Sequence, residues 1–259
     1  MAIPKIVHYV WVGPKSIPEE DQRRVDHWRT VLPDWEFRFW NNDTVNYDSR
    51  YLAQAYSVRA WNRVSDYTRM DALSRFGGVY LDTDIDLHRS LNPLLDNAAF
   101  LGFQMGDELP QSMVNGAVFG AEPGHWLPAT IRDIFNKTLD GRVNIGDYAG
   151  PGLITKVLRD NGLTRYSDEI TKVRDVTIYP KRYFYPYSWL ETYSPEVVTP
   201  DTIAVHRWSE TWVVRTPALK TRLRRLWIRQ LARFAPEATL RAARLEAKQG
   251  GSQQTVGSK

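Results

Sequence analysis

Between Ser65 and Asp84 the chain reads SDYTRMDALSRFGGVYLDTD: a charged amphipathic stretch, a glycine pair, four apolar residues and two aspartates one position apart. The spacing predicts a helix over residues 60–76 and a short buried strand over 78–81. In an open parallel α/β sheet, ligands gather beyond the carboxyl ends of the strands, where Asp82 and Asp84 would lie. Alternate residues of an extended chain share a face, so both carboxylates would point the same way. Two like charges that close repel unless a positive group joins them. Mg²⁺ and Mn²⁺ suit such a pair, because they prefer carboxylate oxygens and keep positions open for phosphate. The arrangement fits a site that holds a diphosphate and helps it leave.

The flanking sequence supports the same architecture. Residues 5–12 are rich in β-branched and aromatic side chains and end at Gly13-Pro14, which predicts a first strand. Residues 19–32 read as a helix bounded by Pro18 and Pro33. Residues 35–40 alternate aromatic and charged, as a half-buried strand does, and Asn41-Asn42-Asp43 makes the next turn. Strand, helix, strand in that order argues for a parallel sheet of the nucleotide-binding kind. Further strands are expected over 100–104, 113–119 and 203–206. Helices are expected from Gly124 to about Leu139 and from Gly150 to near Gly162, with irregular aromatic sequence over 179–193. There is no internal repeat.

The 259 residues, 42% hydrophobic and 25% charged, are enough to bury a core without staples. The absence of cysteine excludes disulfides, thiolate catalysis and cysteine-ligated zinc. The N-terminus reads as a buried strand, not a signal peptide. No run approaches the roughly 18–20 apolar residues that span a bilayer, so a cytoplasmic location, at most peripheral on the inner face of the cell membrane, is expected. The net charge of +4 is unevenly spread: residues 216–259 carry 10 basic and 2 acidic residues, leaving the preceding body mildly acidic. A nucleic-acid enzyme would more often line its groove with positive charge, so no nucleic-acid partner is expected.

Asp66 and Arg69, three apart, share a helix face. They form either an exposed ion pair worth under about 1 kcal/mol or a pair that faces the pocket and binds ligand hydroxyls. The adjacent Gly77-Gly78, read as letting backbone and ligand approach closely, and the acidic turn favour the pocket. Trp11, at the end of the first strand, could stack on a base or pack in the core. Beyond Thr216, Leu219, Leu223, Leu226, Trp227, Leu231 and Phe234 recur at helical spacing with basic residues beside them. This basic amphipathic helix either lies on an anionic membrane surface or packs on the domain. The expected division is therefore 1–215 for the main domain, 216–248 for the basic helical extension and 249–259 for a disordered tail.

The chain resembles the DXD-containing sugar transferases of glycosyltransferase family 32. The blocks that carry the resemblance are residues 3–13 (IPKIVHYVWVG), 65–84, 115–119 (NGAVF), 150–152 (GPG) and 206–212 (HRWSETW). It implies a Rossmann-like GT-A nucleotide-diphospho-sugar transferase fold with a mixed, mainly parallel sheet. It also implies a retaining hexosyltransferase, with a UDP-sugar favoured over GDP-mannose as donor. The cofactor would be Mn²⁺ or Mg²⁺, and the acceptor a glycan or glycolipid, as in polysaccharide biosynthesis. By the same resemblance Trp11 stacks on the base, with Val10 and Val12 giving backbone contacts. Asp66 and Arg69 bind donor-sugar hydroxyls, and Tyr80 belongs to the donor site. Asp82 contacts ribose or sugar hydroxyls, Asp84 ligates the metal, and Asn115 lies near the sugar and acceptor. His206 returns to the metal or diphosphate, or else is a buried structural histidine, and Ser209 and Trp212 close over the phosphates. Arg207 departs from the commoner paired histidines. Two other readings of paired aspartates are a metal-dependent nucleotidyl or phosphoryl transferase and a catalytically silent nucleotide-sugar-binding module. The first usually wants a glycine-rich phosphate loop with lysine, which this chain lacks; the intact aspartates argue against the second.

Overall fold

The computed structural model describes residues 2–106, 112–138 and 150–209. Seven strands form the central sheet: β1 (Ile6–Val10), β2 (Glu36–Trp40), β3 (Gly78–Leu81), β5 (Ala99–Phe103), β6 (Val114–Ala121), β7 (Thr171–Val173) and β8 (Val176–Tyr179), in the order β2-β1-β3-β6-β5-β8-β7. Parallel pairing joins β1 to β2, β1 to β3 and β5 to β8; β6 and β7 run against their neighbours. The sheet is thus mixed, with most strands pointing one way, as the Rossmann-like GT-A expectation requires. A separate two-stranded sheet pairs β4 (Ile85–Leu87) antiparallel with β9 (Ala204–His206).

Alternation along the strands divides the core. Tyr80, Leu101, Phe103 and Phe119 face one side, beneath α2 (Arg50–Ser57), α3 (Trp61–Phe76), α4 (Trp126–Thr138) and α5 (Pro151–Asp160). Val7, Val79, Leu81 and Phe100 face the other, where α1 (Glu19–Val31) supplies Val25 and Trp28 and the small sheet supplies Ile85, Leu87 and Ala204. The buried Trp28 indole donates to the Ile85 carbonyl at 2.8 Å, fixing α1 onto β4.

The expected elements stand within one or two residues of their positions, and α2, β4, β7 and β8 are additions to them. The glycine pair has a different purpose from the one expected. Gly77 and Gly78 take φ of +63° and +101°, and a Cβ would lie 2.6 Å from Pro123 Cδ or 2.6 Å from the Ile6 carbonyl oxygen. They let α3 reverse tightly into β3 against β1, and neither lines the ligand cavity. The basic helix over 216–248, the tail over 249–259 and Trp212 lie outside the described residues.

Candidate active site

A cavity of about 740 Å³ opens at the carboxyl ends of β1, β3 and β5. Asp82 follows β3 directly, and its amide donates to the Ala117 carbonyl at 2.9 Å. Both aspartates lie in the turn between β3 and β4, just past the strand expected over 78–81, and the turn brings both to the cavity.

Each carboxylate has one oxygen tied down and one left facing its neighbours. Asp82 Oδ1 accepts from Arg69 Nη2 and from the Tyr80 hydroxyl, both at 2.8 Å. Its Oδ2 stands 4.0 Å from His206 Nε2. Asp84 Oδ2 accepts from the Ser209 amide at 2.7 Å, while its Oδ1 lies 3.2 Å from the same His206 nitrogen. Potential ligand atoms of Asp82, Asp84 and His206 thus lie within 4.8 Å of one another. Two carboxylate oxygens and one imidazole nitrogen are a donor set that suits a divalent cation such as Mn²⁺. Burial alone would raise the Asp84 pKa and lower that of His206; their mutual attraction reverses both, holding Asp84 below and His206 above its ordinary value. Asp82, Asp84 and His206, the three residues singled out from the sequence as candidate metal ligands, lie together here.

Arg69 is held from three sides. It lies 5% exposed, with its guanidinium 4.2 Å above the Tyr80 ring, bonded to Asp82 and 3.6 Å from Asp66. The exposed-pair alternative therefore fails, since Arg69 is buried, the Asp66 side chain is only 14% exposed and both line the cavity. Gly116 makes the room: a Cβ there would sit 2.9 Å from Arg69 Nη1 and 2.8 Å from Ile154 Cδ1. Burial pushes Asp66 up to about 6, with Arg69 and an N–H bond from Gly150 opposing that rise. Tyr80 does not line the cavity; its hydroxyl also meets Ser65 at 3.0 Å, so it orients Asp82 from behind.

Trp11 is half-buried at the cavity wall beside Val10 and Val12, and its indole donates to the Lys15 carbonyl at 2.6 Å. The core-tryptophan alternative is thereby removed. Asn115 is spoken for on two sides: its Nδ2 donates to Gln104 Oε1 at 2.7 Å, and its Oδ1 accepts from the Ala117 amide at 2.8 Å. Gln104 is a lining residue that the sequence reading passed over. It closes the strand expected over 100–104, and ligands gather at the carboxyl ends of such strands, so that rule points to it. Trp189, Trp208 and Arg59 were also missed; they come from irregular segments without periodicity.

The segment after β9 closes the site. Trp208 takes φ of +55°, which bulky residues rarely adopt, and the next amide, of Ser209, bonds Asp84. Arg207 does not line the cavity: it reaches Asp86 at 3.2 Å and lies 3.6 Å over the Tyr193 ring. Its departure from the paired-histidine pattern therefore leaves the acidic cluster untouched.

Residues 18–101 match the family described as glycosyltransferase sugar-binding region containing DXD motif. Over that region, about a third of its length, the chain is similar to DXD-containing glycosyltransferases. It is 25% identical over 191 residues to an uncharacterised glycosyltransferase of Acanthamoeba polyphaga mimivirus, covering 71% of this chain and 73% of the viral one. It is 30% identical over 210 residues to mouse lactosylceramide 4-alpha-galactosyltransferase, covering 78% of this chain but only 50% of the mouse protein. Inositol phosphoceramide mannosyltransferase 3 of Schizosaccharomyces pombe is 29% identical over 139 residues, 51% of this chain and 37% of the yeast protein. Among solved structures, the PaToxG glycosyltransferase aligns at TM-score 0.45 and 17% identity, over 61% of this chain and 70% of that one. A glycosyltransferase involved in glycosylation of the major capsid of PBCV-1 aligns at 0.45 and 9%, over 80% and 96%.

Proposed function

We propose that this chain transfers a hexose from a nucleotide-diphosphate sugar to a hydroxyl of a glycolipid or glycan, with a divalent cation and with retention at the anomeric carbon. The observation that carries the reading is the meeting of Asp82, Asp84 and His206 in a cavity shared with the Asp66–Arg69 pair and Trp11. The three converging residues would hold Mn²⁺ or Mg²⁺, which as a Lewis acid lowers the charge on the departing diphosphate. Trp11 offers a flat apolar face to the base. Asp66 and Arg69, an acceptor and a donor fixed in one place, are suited to sugar hydroxyls and pay no reorganisation during reaction.

The acceptor oxygen forms a bond to the anomeric carbon as the bond from that carbon to the β-phosphate oxygen breaks, and the acceptor's proton leaves on that phosphate oxygen. Asp66, Asp82 and Asp84 are the carboxylates among the described lining residues, and each is already engaged. That favours attack from the leaving-group face over a covalent glycosyl-enzyme. The acceptor class is supported by two relatives whose names specify ceramide-based lipids. The basic sequence beyond Thr216 would suit an anionic membrane surface on the cytoplasmic side.

Incubation with Mn²⁺ and a panel of UDP- and GDP-linked hexoses, measuring released nucleotide, tests this reading. Turnover is expected with one donor, falling by about 100-fold or more in Asp84→Ala, and calorimetry should show weaker Mn²⁺ binding in the same variant. A protein that neither binds nor consumes any nucleotide sugar would refute it.

A further inference from the structure

The cavity has two flanks. One is built by β1 and the start of α3, with Val10, Trp11, Val12, Trp61 and Asn62. The other is built by β5, β6 and the chain that returns after β8, with Gln104, Ser112, Asn115 and Trp189. The acidic cluster and the Asp66–Arg69 pair belong to elements between them. With a base at Trp11 and a diphosphate at the cluster, the second flank is left to whatever attacks the sugar.

Trp189 stands out on that flank. It is 38% exposed, one of three large hydrophobic side chains so exposed among the described residues, and the one of them that lines the cavity. Its indole has no hydrogen-bond partner among the described residues, yet its backbone is firmly set. Ser188 donates from both its amide and its hydroxyl to Glu191 Oε2, at 2.7 and 2.8 Å, and the Glu191 amide returns to the Ser188 carbonyl at 3.0 Å. The turn is anchored on both sides. The Trp208 indole donates to the Tyr187 carbonyl at 3.0 Å, and Tyr193 lies under Arg207. Those anchors are neighbours of Ser209, whose amide holds Asp84, so the aromatic turn is built onto the segment that completes the acidic cluster.

A turn that presents an unpartnered indole to an open cavity leaves exposed an apolar face that would ordinarily be buried. The axial C–H groups of a pyranose ring form a weakly positive apolar patch that fits the negative face of an indole. The polar atoms of Gln104, Ser112 and Asn115 on the same flank can meet the ring's hydroxyls. We propose that Trp189 is the stacking platform for a saccharide acceptor, placing a sugar ring, and not a lipid tail or a protein segment, beside the donor. The inference rests on the functional reading above and adds the acceptor's chemical class and the residue that selects it.

Saturation-transfer NMR on the full chain tests it, with UDP or GDP and Mn²⁺ present and lactose, cellobiose and methyl α-D-mannoside as separate probes. At least one saccharide should show ring C–H signals, reduced about tenfold or more in Trp189→Ala and largely retained in Trp189→Phe. Nucleotide affinity by calorimetry should stay within about twofold. Unchanged saccharide signals in Trp189→Ala, or a fall in nucleotide affinity to match the loss of sugar, would overturn the proposal; the second result would make Trp189 part of the nucleotide site. If the unmodified protein binds nucleotide but no saccharide, the acceptor proposal alone falls. If it binds no nucleotide, the underlying functional reading falls first.

Discussion

His8 shows how a single side chain can be fixed in its protonation state by its neighbours. The Trp40 indole can only donate, and it reaches His8 Nδ1 at 3.2 Å, so the ring proton must sit on Nε2, which donates to the Gly77 carbonyl at 2.8 Å. Burial, aided by the nearby Arg38 charge, lowers its pKa from 6.5 to about 4. In this window the unfolded chain binds a proton that the folded one refuses. Its contribution is therefore intact above about pH 6.5 and is lost as pH falls toward 4. Between pH 7.5 and 5 the loss should be about 2 kcal/mol. Urea denaturation at both pH values should show it, and the His8→Gln variant should lack that share of the acid sensitivity. The carboxylates legible in the sequence were those whose spacing placed them at a strand end. Tyr80, hidden behind Asp82, has no such mark, because orienting a carboxylate from beneath depends on packing and not on sequence interval.

At the scale of elements, the run Asp82-Thr83-Asp84-Ile85-Asp86 divides between two duties that sequence alone cannot separate. Its first two aspartates face the cavity, while Asp86 lies on β4 and joins Arg24 of α1, at 2.7 Å, to Arg207 after β9. Arg24 is nearly buried and also bonds Asp21 at 2.7 Å. Removing the shared carboxylate leaves two cations short of a partner, so Asp86→Asn should cost about 1–3 kcal/mol of stability. Chemical denaturation should register that cost while Mn²⁺ affinity stays within a few-fold of the parent, the reverse of Asp84→Ala. β4 itself went unseen in the sequence because three residues carry no periodicity and its partner β9 is distant in the chain. α2 was missed for a related reason: eight residues between polar turns, started by the Ser49 side chain, give too little pattern to read. The long α1 and α3, bounded by prolines or followed by glycines, were plain.

For the molecule as a whole, the alternation that splits the core onto two faces was recoverable from strand patterns, and with it the edge on which the cavity opens. The antiparallel insertion of β6 between β3 and β5 was not, since pairing order depends on contacts between distant segments. If the cavity binds a cation and a nucleotide together, each should stabilise the fold by mass action. Saturation to about 100 times the dissociation constant adds about 2.7 kcal/mol, or a rise in melting temperature of roughly 5–10 °C for a domain of this size. Thermal-shift measurement with Mn²⁺ plus UDP or GDP should show this in the parent and lose most of it in both Asp84→Ala and His206→Ala. A rise that survives both substitutions would place the cation elsewhere.

The pairing of β4 with β9 also sets when this protein becomes competent. The seven-stranded sheet is complete in sequence by Tyr179, but the imidazole opposite Asp84 and the amide that clasps it arrive only with His206 and Ser209. A chain still short of Ala204 would carry the acidic turn without the imidazole and the amide that face it, so the cation binding proposed above would require the last described strand to have docked.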